Sequence, residues 1–160
     1  MKTHPETRIG HVHLKVSDLE RSIAFYNEVM GLDVMQRYSN QAAFLSAGGY
    51  HHHIGLNTWN SKGGARPPGH ATGLYHTAFV YPHRQALAQA LQNALDAGVR
   101  IQGHADHGVS EAIYFEDPDG NGIEIYRDRA EADWPRNADG SLAMVNRPLD
   151  LPALLAERHP

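Results

Sequence analysis

Three residues draw attention for what they could do together: His11, His76 and Glu124. The chain carries 12 histidines in 160 residues and no cysteine. Histidine is the commonest metal ligand and titrates near neutral pH. The lack of cysteine removes disulfides and thiolate metal sites. Glu124 sits between Ile123 and Ile125. A strand that points both isoleucines one way points this carboxylate the other way. Two imidazoles and one carboxylate on a divalent metal leave open coordination positions, as non-haem Fe(II) oxygenases require. The alternative is that each is an isolated polar group on a surface or in a core.

The elements that must position these residues form a repeat. Residues 9–16 alternate, with Val12, Leu14 and Val16 on one face and His11, His13 and Lys15 on the other, which predicts a strand. Ser17 and Glu20 read as a capping box that starts a helix. Leu19, Ile23, Tyr26 and Met30 form its apolar stripe, and Gly31 ends it. Strands are expected near 32–38, 41–47 and 51–58, then a loop over 59–73 broken by Gly63, Gly64, Pro67, Pro68 and Gly69. The order then recurs. A strand over 74–81 holds His76; a helix over 84–97 carries Leu87, Leu91 and Leu95 and stops at Gly98. Strands follow at 99–103, 112–116 and 122–127, with a turn at 117–122. His11 and His76 lie 65 residues apart, and the helix-ending glycines 67 apart, so a duplicated unit is expected. The predicted class is α+β: one domain, 1–160, of two paired βαβββ modules whose sheet curls around a metal-containing cavity. Module one spans about 8–58, the linker 59–73 and module two about 74–128. The tail, 129–160, is polar and irregular, with a short helix near 150–157 that packs on the body or on a second subunit.

Bulk properties exclude several classes. A net charge of −4 does not suggest nucleic acid or an anionic membrane as partner. No apolar run approaches the roughly 20 residues of a membrane span. Met1 to Pro5 lack the apolar core of a signal peptide, so a cytoplasmic protein is expected.

The segment from Gly10 to Ser22, followed by Phe25-Tyr26 and Gly31-Leu32, resembles the opening of the vicinal oxygen chelate superfamily. Asp117 to Tyr126 resembles its closing strand. That superfamily includes glyoxalase I, extradiol ring-cleavage dioxygenases, fosfomycin-modifying enzymes and bleomycin-binding proteins. The resemblance covers roughly 9–127 and implies paired βαβββ modules, with His11, His76 and Glu124 as metal ligands. The run Tyr50 to Trp59, with three consecutive histidines, resembles catechol 2,3-dioxygenase-like proteins, as do Trp134-Pro135-Arg136 and 148–151 in the tail. Extradiol enzymes place an acid–base histidine on the strand of that run, which His53 matches best. They also place a substrate-binding histidine where His107 stands, and an active-site tyrosine at Tyr114, ten residues before the glutamate. Read on their own, Tyr114 could be plain core and His107 a solvated loop residue. Alternation would put His51 and His53 on one face and His52 on the other. The role of His13 is open, and His70 and His104 read as loop residues.

The resemblance implies an extradiol dioxygenase that opens a catecholic substrate with O2 at Fe(II), with Mn(II) as the substitute metal. One rival is a glyoxalase-like isomerase using Ni(II) or Zn(II). It requires a further glutamate in module one, yet no Asp or Glu occurs from Gln41 to Trp59. Another is a non-catalytic drug- or metabolite-binding protein, whose members usually lack the metal residues. A fosfomycin thiol transferase needs a basic phosphonate-binding cluster that is not apparent. Familiar extradiol enzymes carry four modules in a chain about twice this long. A homodimer is therefore expected, with the cup either within one chain or shared by module exchange.

Overall fold

The computed structural model describes residues 2–158. Met1, His159 and Pro160, at the ends of the expected domain, lie outside the described residues. The chain divides into two compact units, Met1–Arg66 and Pro67–Pro160, and the division falls in the expected linker. The architecture is α+β, two four-stranded mixed sheets with few helices.

The first unit runs β1 (Val12–Lys15), α1 (Leu19–Ala24) prolonged by a π turn (Phe25–Val29), β2 (Asp33–Tyr38), β3 (Ala42–Ser46) and β4 (Ile54–Asn57). The sheet order is β1-β4-β3-β2, with β1 parallel to β4 and the other pairs antiparallel. Leu14, Leu56 and Ala43 lie in register and are buried, and so are Leu19, Ile23 and Tyr26 of the helical segment. The other face presents His13 opposite Gly55, which is opposite Phe44. The helix cap is Asp18 rather than Ser17. Its extended backbone places Oδ1 to accept from Arg21 N at 3.1 Å, while Ser17 Oγ accepts from the Arg21 guanidinium. The expected strand over 51–58 begins only at Ile54. His53 still bonds Leu45 and Val12 through its main chain, but the chain bends at His51 and again at His53, so strict alternation fails there.

The second unit runs β5 (Thr77–Val80), α2 (Arg84–Asp96), β6 (Gly103–Asp106), β7 (Ser110–Glu116), β8 (Gly122–Asp128) and α3 (Leu151–Leu155). Its order, β5-β8-β7-β6, repeats that of the first, again with the outer first strand parallel to the last. Leu87, Leu91 and Ala94 are buried, as are Ile113, Phe115, Ile123 and Ile125. Leu95, expected in the stripe, is 40% exposed: a period of 3.6 takes Ala94, not Leu95, after Leu91. The strand expected at 99–103 lies instead at Gly103–Asp106. Val99 N bonds back to Ala94 O and closes the helix end, and pairing with β7 then starts at Gly103. His104, expected in a loop, is therefore on β6. Leu154 of α3 is fully buried and the helix packs on α2, so the tail helix docks on its own unit.

Candidate active site

In the second unit the β7–β8 hairpin builds the site. Asp117, almost wholly buried, accepts from the main chains of Asp119 and Asn121 and from the Asn121 side chain. That turn fixes the register so that Tyr114 stands directly opposite Glu124. The Tyr114 hydroxyl donates to Glu124 Oε1 at 3.2 Å. The other carboxylate oxygen, Oε2, lies 3.0 Å from His76 Nε2. His107 Nε2 lies 3.0 Å from the Tyr114 hydroxyl, and its Nδ1 lies 3.1 Å from Val145 O. Four residues expected from sequence are thus joined in one line, His107–Tyr114–Glu124–His76. Burial, the charge of Glu124, its hydrogen bond and Tyr75 together push the Tyr114 phenol up to about 12.

His76 precedes β5. Its approach to Glu124 depends on Gly122, the first residue of β8: a Cβ there would collide with Tyr75 O and come within 3.2 Å of His76 Cα. Only glycine lets the two backbones run this close.

In the first unit the histidines gather on the face opposite α1. The rings of His11 and His52 stand 4.3 Å apart. His51 Nδ1 and His52 Nδ1 are 2.8 Å apart, so only one of the two carries a proton in that contact. Burial, then the neighbouring His11, His51, His13 and His53, hold the His52 imidazole below the usual histidine range. His53 turns elsewhere. Its Nδ1 accepts from Ala47 N at 3.3 Å and sits 2.9 Å from Ser46 Oγ, which leaves Nε2 to carry the proton of the neutral ring. His13 lies against Gly55, where a Cβ would meet its ring at 2.9 Å, with Trp59 5.6 Å away. His52, Ser46 and Val145 were not singled out in the sequence. His52 lay hidden in a triplet read as a strand, and Val145 acts through its main chain.

Among the described residues no group of three or more His, Asp or Glu converges as a metal would require. What does converge is a pair, His76 and Glu124. The pair fits a divalent metal by its chemistry: an imidazole nitrogen and a carboxylate oxygen on one spot, the second carboxylate oxygen held by Tyr114. His76 Nδ1 is also buried without a hydrogen-bond partner in the structure. This is the nitrogen away from Glu124, so a metal between Nε2 and the carboxylate does not supply its missing partner. His11 belongs to the first unit. A groove of about 700 Å³ lies apart from the Tyr114–Glu124 pair, between β6 and residues 146–151.

Residues 8–125 match the model of the Glyoxalase/Bleomycin resistance protein/Dioxygenase superfamily. The chain belongs to this superfamily. It is 41% identical to a catechol-2,3-dioxygenase of Bacillus subtilis over 154 residues, which is 96% of this chain and 53% of that protein. It is 28% identical to a lactoylglutathione lyase of Salmonella typhimurium, covering 74% of this chain and 90% of the lyase. The chain therefore spans about half the length of its dioxygenase relative and nearly all of the lyase. A glyoxalase/dioxygenase structure from Nostoc punctiforme superposes with a TM-score of 0.66 at 22% identity, over 81% of this chain and 98% of that one, which supports the shared fold.

Proposed function

We propose that this protein is an extradiol dioxygenase that opens a catecholic ring with O2 at an Fe(II) centre. The observation that carries the reading is the line His107–Tyr114–Glu124–His76, which joins a carboxylate–imidazole pair to two hydrogen-bonding groups suited to a diol. The 41% identity to a catechol-2,3-dioxygenase supports it.

His76 and Glu124 would hold the metal, with His11 as the third ligand this reading expects, and the metal when bound would supply Lewis acidity that eases deprotonation of a catechol and open positions for diol and O2. Tyr114 keeps its proton at neutral pH, so it meets a substrate oxygen as a neutral hydroxyl and not as a phenolate base. His107 braces that hydroxyl. The histidine run supplies the proton that ring opening needs, a task suited to groups that titrate near neutrality. His53 is the expected donor, and with Nδ1 taken by Ala47 N its Nε2 is the nitrogen left to hold a proton. The product is a ring-opened semialdehyde that contains both oxygen atoms of O2. The reading includes a homodimer.

The coverage of a lactoylglutathione lyase over 90% of its length favours a second reading, a metal-dependent isomerase. One experiment separates them. The protein is loaded anaerobically with Fe(II), given catechol, 3-methylcatechol or L-DOPA, and opened to air. O2 uptake and a yellow product are expected. No uptake with any diol, together with turnover of hemithioacetals by the Ni(II) or Zn(II) form, establishes the isomerase instead.

A further inference from the structure

After β8 the chain returns to the turn between β6 and β7. Val145 N donates to His107 O at 3.0 Å, and Asp106 and Arg147 exchange main-chain bonds of 2.8 and 3.0 Å. Ala143 N donates to Pro135 O, so residues 135–147 close on themselves as they cross the turn. Gly108 lies beneath them with φ +76°. A Cβ there would stand 2.8 Å from Pro135 Cγ and 3.2 Å from Val145 Cγ2. The strap and the turn are fitted to one another at the residue next to His107.

We propose that residues 134–147 form a positioning strap for the site: the Val145 carbonyl fixes the proton of His107 on Nδ1 and so turns an acceptor, Nε2, toward Tyr114. A carbonyl oxygen only accepts. At 3.1 Å from Val145 O, Nδ1 must therefore be the donor. In the neutral ring Nε2 then has a lone pair facing the Tyr114 hydroxyl at 3.0 Å. Tyr114 has one proton and two acceptors in reach, His107 Nε2 and Glu124 Oε1. Its proton serves one of them at a time. Anything that weakens Glu124 as an acceptor, as a cation on that carboxylate does, turns the proton toward His107. The strap thus presents a second acceptor to the Tyr114 hydroxyl from 31 residues downstream of it. What Tyr114 then touches rests on the dioxygenase reading; the proton position on His107 does not.

The test is a long-range proton–nitrogen spectrum of 15N-histidine-labelled protein, free of paramagnetic ions, near pH 8. The His107 signals are assigned by their loss in His107→Gln. The Nδ1–H tautomer is expected, the one a free histidine side chain disfavours in water. An Nε2–H pattern in the wild-type protein overturns the proposal, whatever the activity. Gly108→Ala, which drives a methyl into Pro135 and Val145, is expected to erase the Nδ1–H preference and to lower kcat while metal content holds. Gly108→Ala with Pro135→Gly is expected to recover part of both. If the single variant folds and keeps the wild-type tautomer, the strap does not set it. If that variant does not fold, the wild-type spectrum alone still decides. Loss of O2 uptake with an intact Nδ1–H signature counts against the dioxygenase reading and leaves the strap standing.

Discussion

At the scale of single residues, Tyr114 is the side chain whose surroundings determine most. Its phenol is pushed up to about 12, first by burial and then by the charge of Glu124. The folded state therefore binds its proton more tightly than an unfolded chain, where a tyrosine ionises near pH 10. The stability linked to this proton is fully present below about pH 10 and is lost as pH rises toward about 12. Urea midpoints of wild type and Tyr114→Phe, compared at about pH 9 and about pH 11, should diverge in favour of the variant at the higher pH. An unchanged difference would mean that the phenol is not perturbed. The same variant should keep its bound metal, because Tyr114 touches Glu124 without replacing it, and should lose about 10–100-fold in kcat, as removal of a group that orients a ligand does. Glu124→Ala, by contrast, should lose the metal itself, read directly by metal analysis. His76 and Glu124 were legible in the sequence from repeat position and strand alternation, whereas Tyr114 stood out only through the resemblance to extradiol enzymes. His52 was not, because three adjacent histidines give alternation nothing to sort. The bend that sorts them follows Gly48 and Gly49, both at positive φ.

At the scale of elements, the repeat predicted from glycine stops and apolar periods is realised as two sheets of the same order. What sequence misplaced were strand ends, at β6 and β4, where pairing with a neighbour rather than local pattern fixes the limit. Gly122 shows how one element boundary controls chemistry. Its lack of a side chain lets the Tyr75–His76 segment cross β8 closely enough for His76 to reach Glu124. Gly122→Ala should therefore push the start of β5 outward. A loss of about 1–3 kcal/mol is expected, the usual result of overpacking, measured by urea unfolding. Metal affinity should fall more sharply than in Gly69→Ala, where a Cβ would meet nothing within 4 Å. If Gly122→Ala binds metal as the wild type does, the close crossing is not what positions His76.

At the scale of the molecule, the second unit is tied together by charges that no motif announced. Glu111 on β7 is 3% exposed and accepts from Arg84 of α2, Arg127 of β8 and Arg129 beyond it, at 3.0, 2.8 and 3.1 Å. Arg84 also pairs with Glu157 just after α3, and Arg129 with Asp106 of β6 at 2.7 Å. One carboxylate therefore joins helix, sheet and tail. Periodicity could not expose it, because a charged residue in a strand reads as solvent-facing until the partners that bury it are known. A buried ion cluster adds little over an apolar core of equal volume, but removing its centre strands the remaining charges. Glu111→Ala leaves three guanidinium groups crowded together without their common acceptor. A loss of about 3–5 kcal/mol is expected, measured by urea unfolding of the second unit's fluorophore, Trp134. Asp106→Asn removes a partner that is partly exposed and should change stability by no more than about 1 kcal/mol. The two variants also differ in their response to salt. The Asp106 contribution should shrink on raising ionic strength to about 1 M, where exposed charges are screened within about 3 Å, while the Glu111 contribution persists. If Glu111→Ala unfolds no more easily than Asp106→Asn, the cluster does not hold the tail to the sheet, and apolar contacts such as Leu154 against α2 must do so alone.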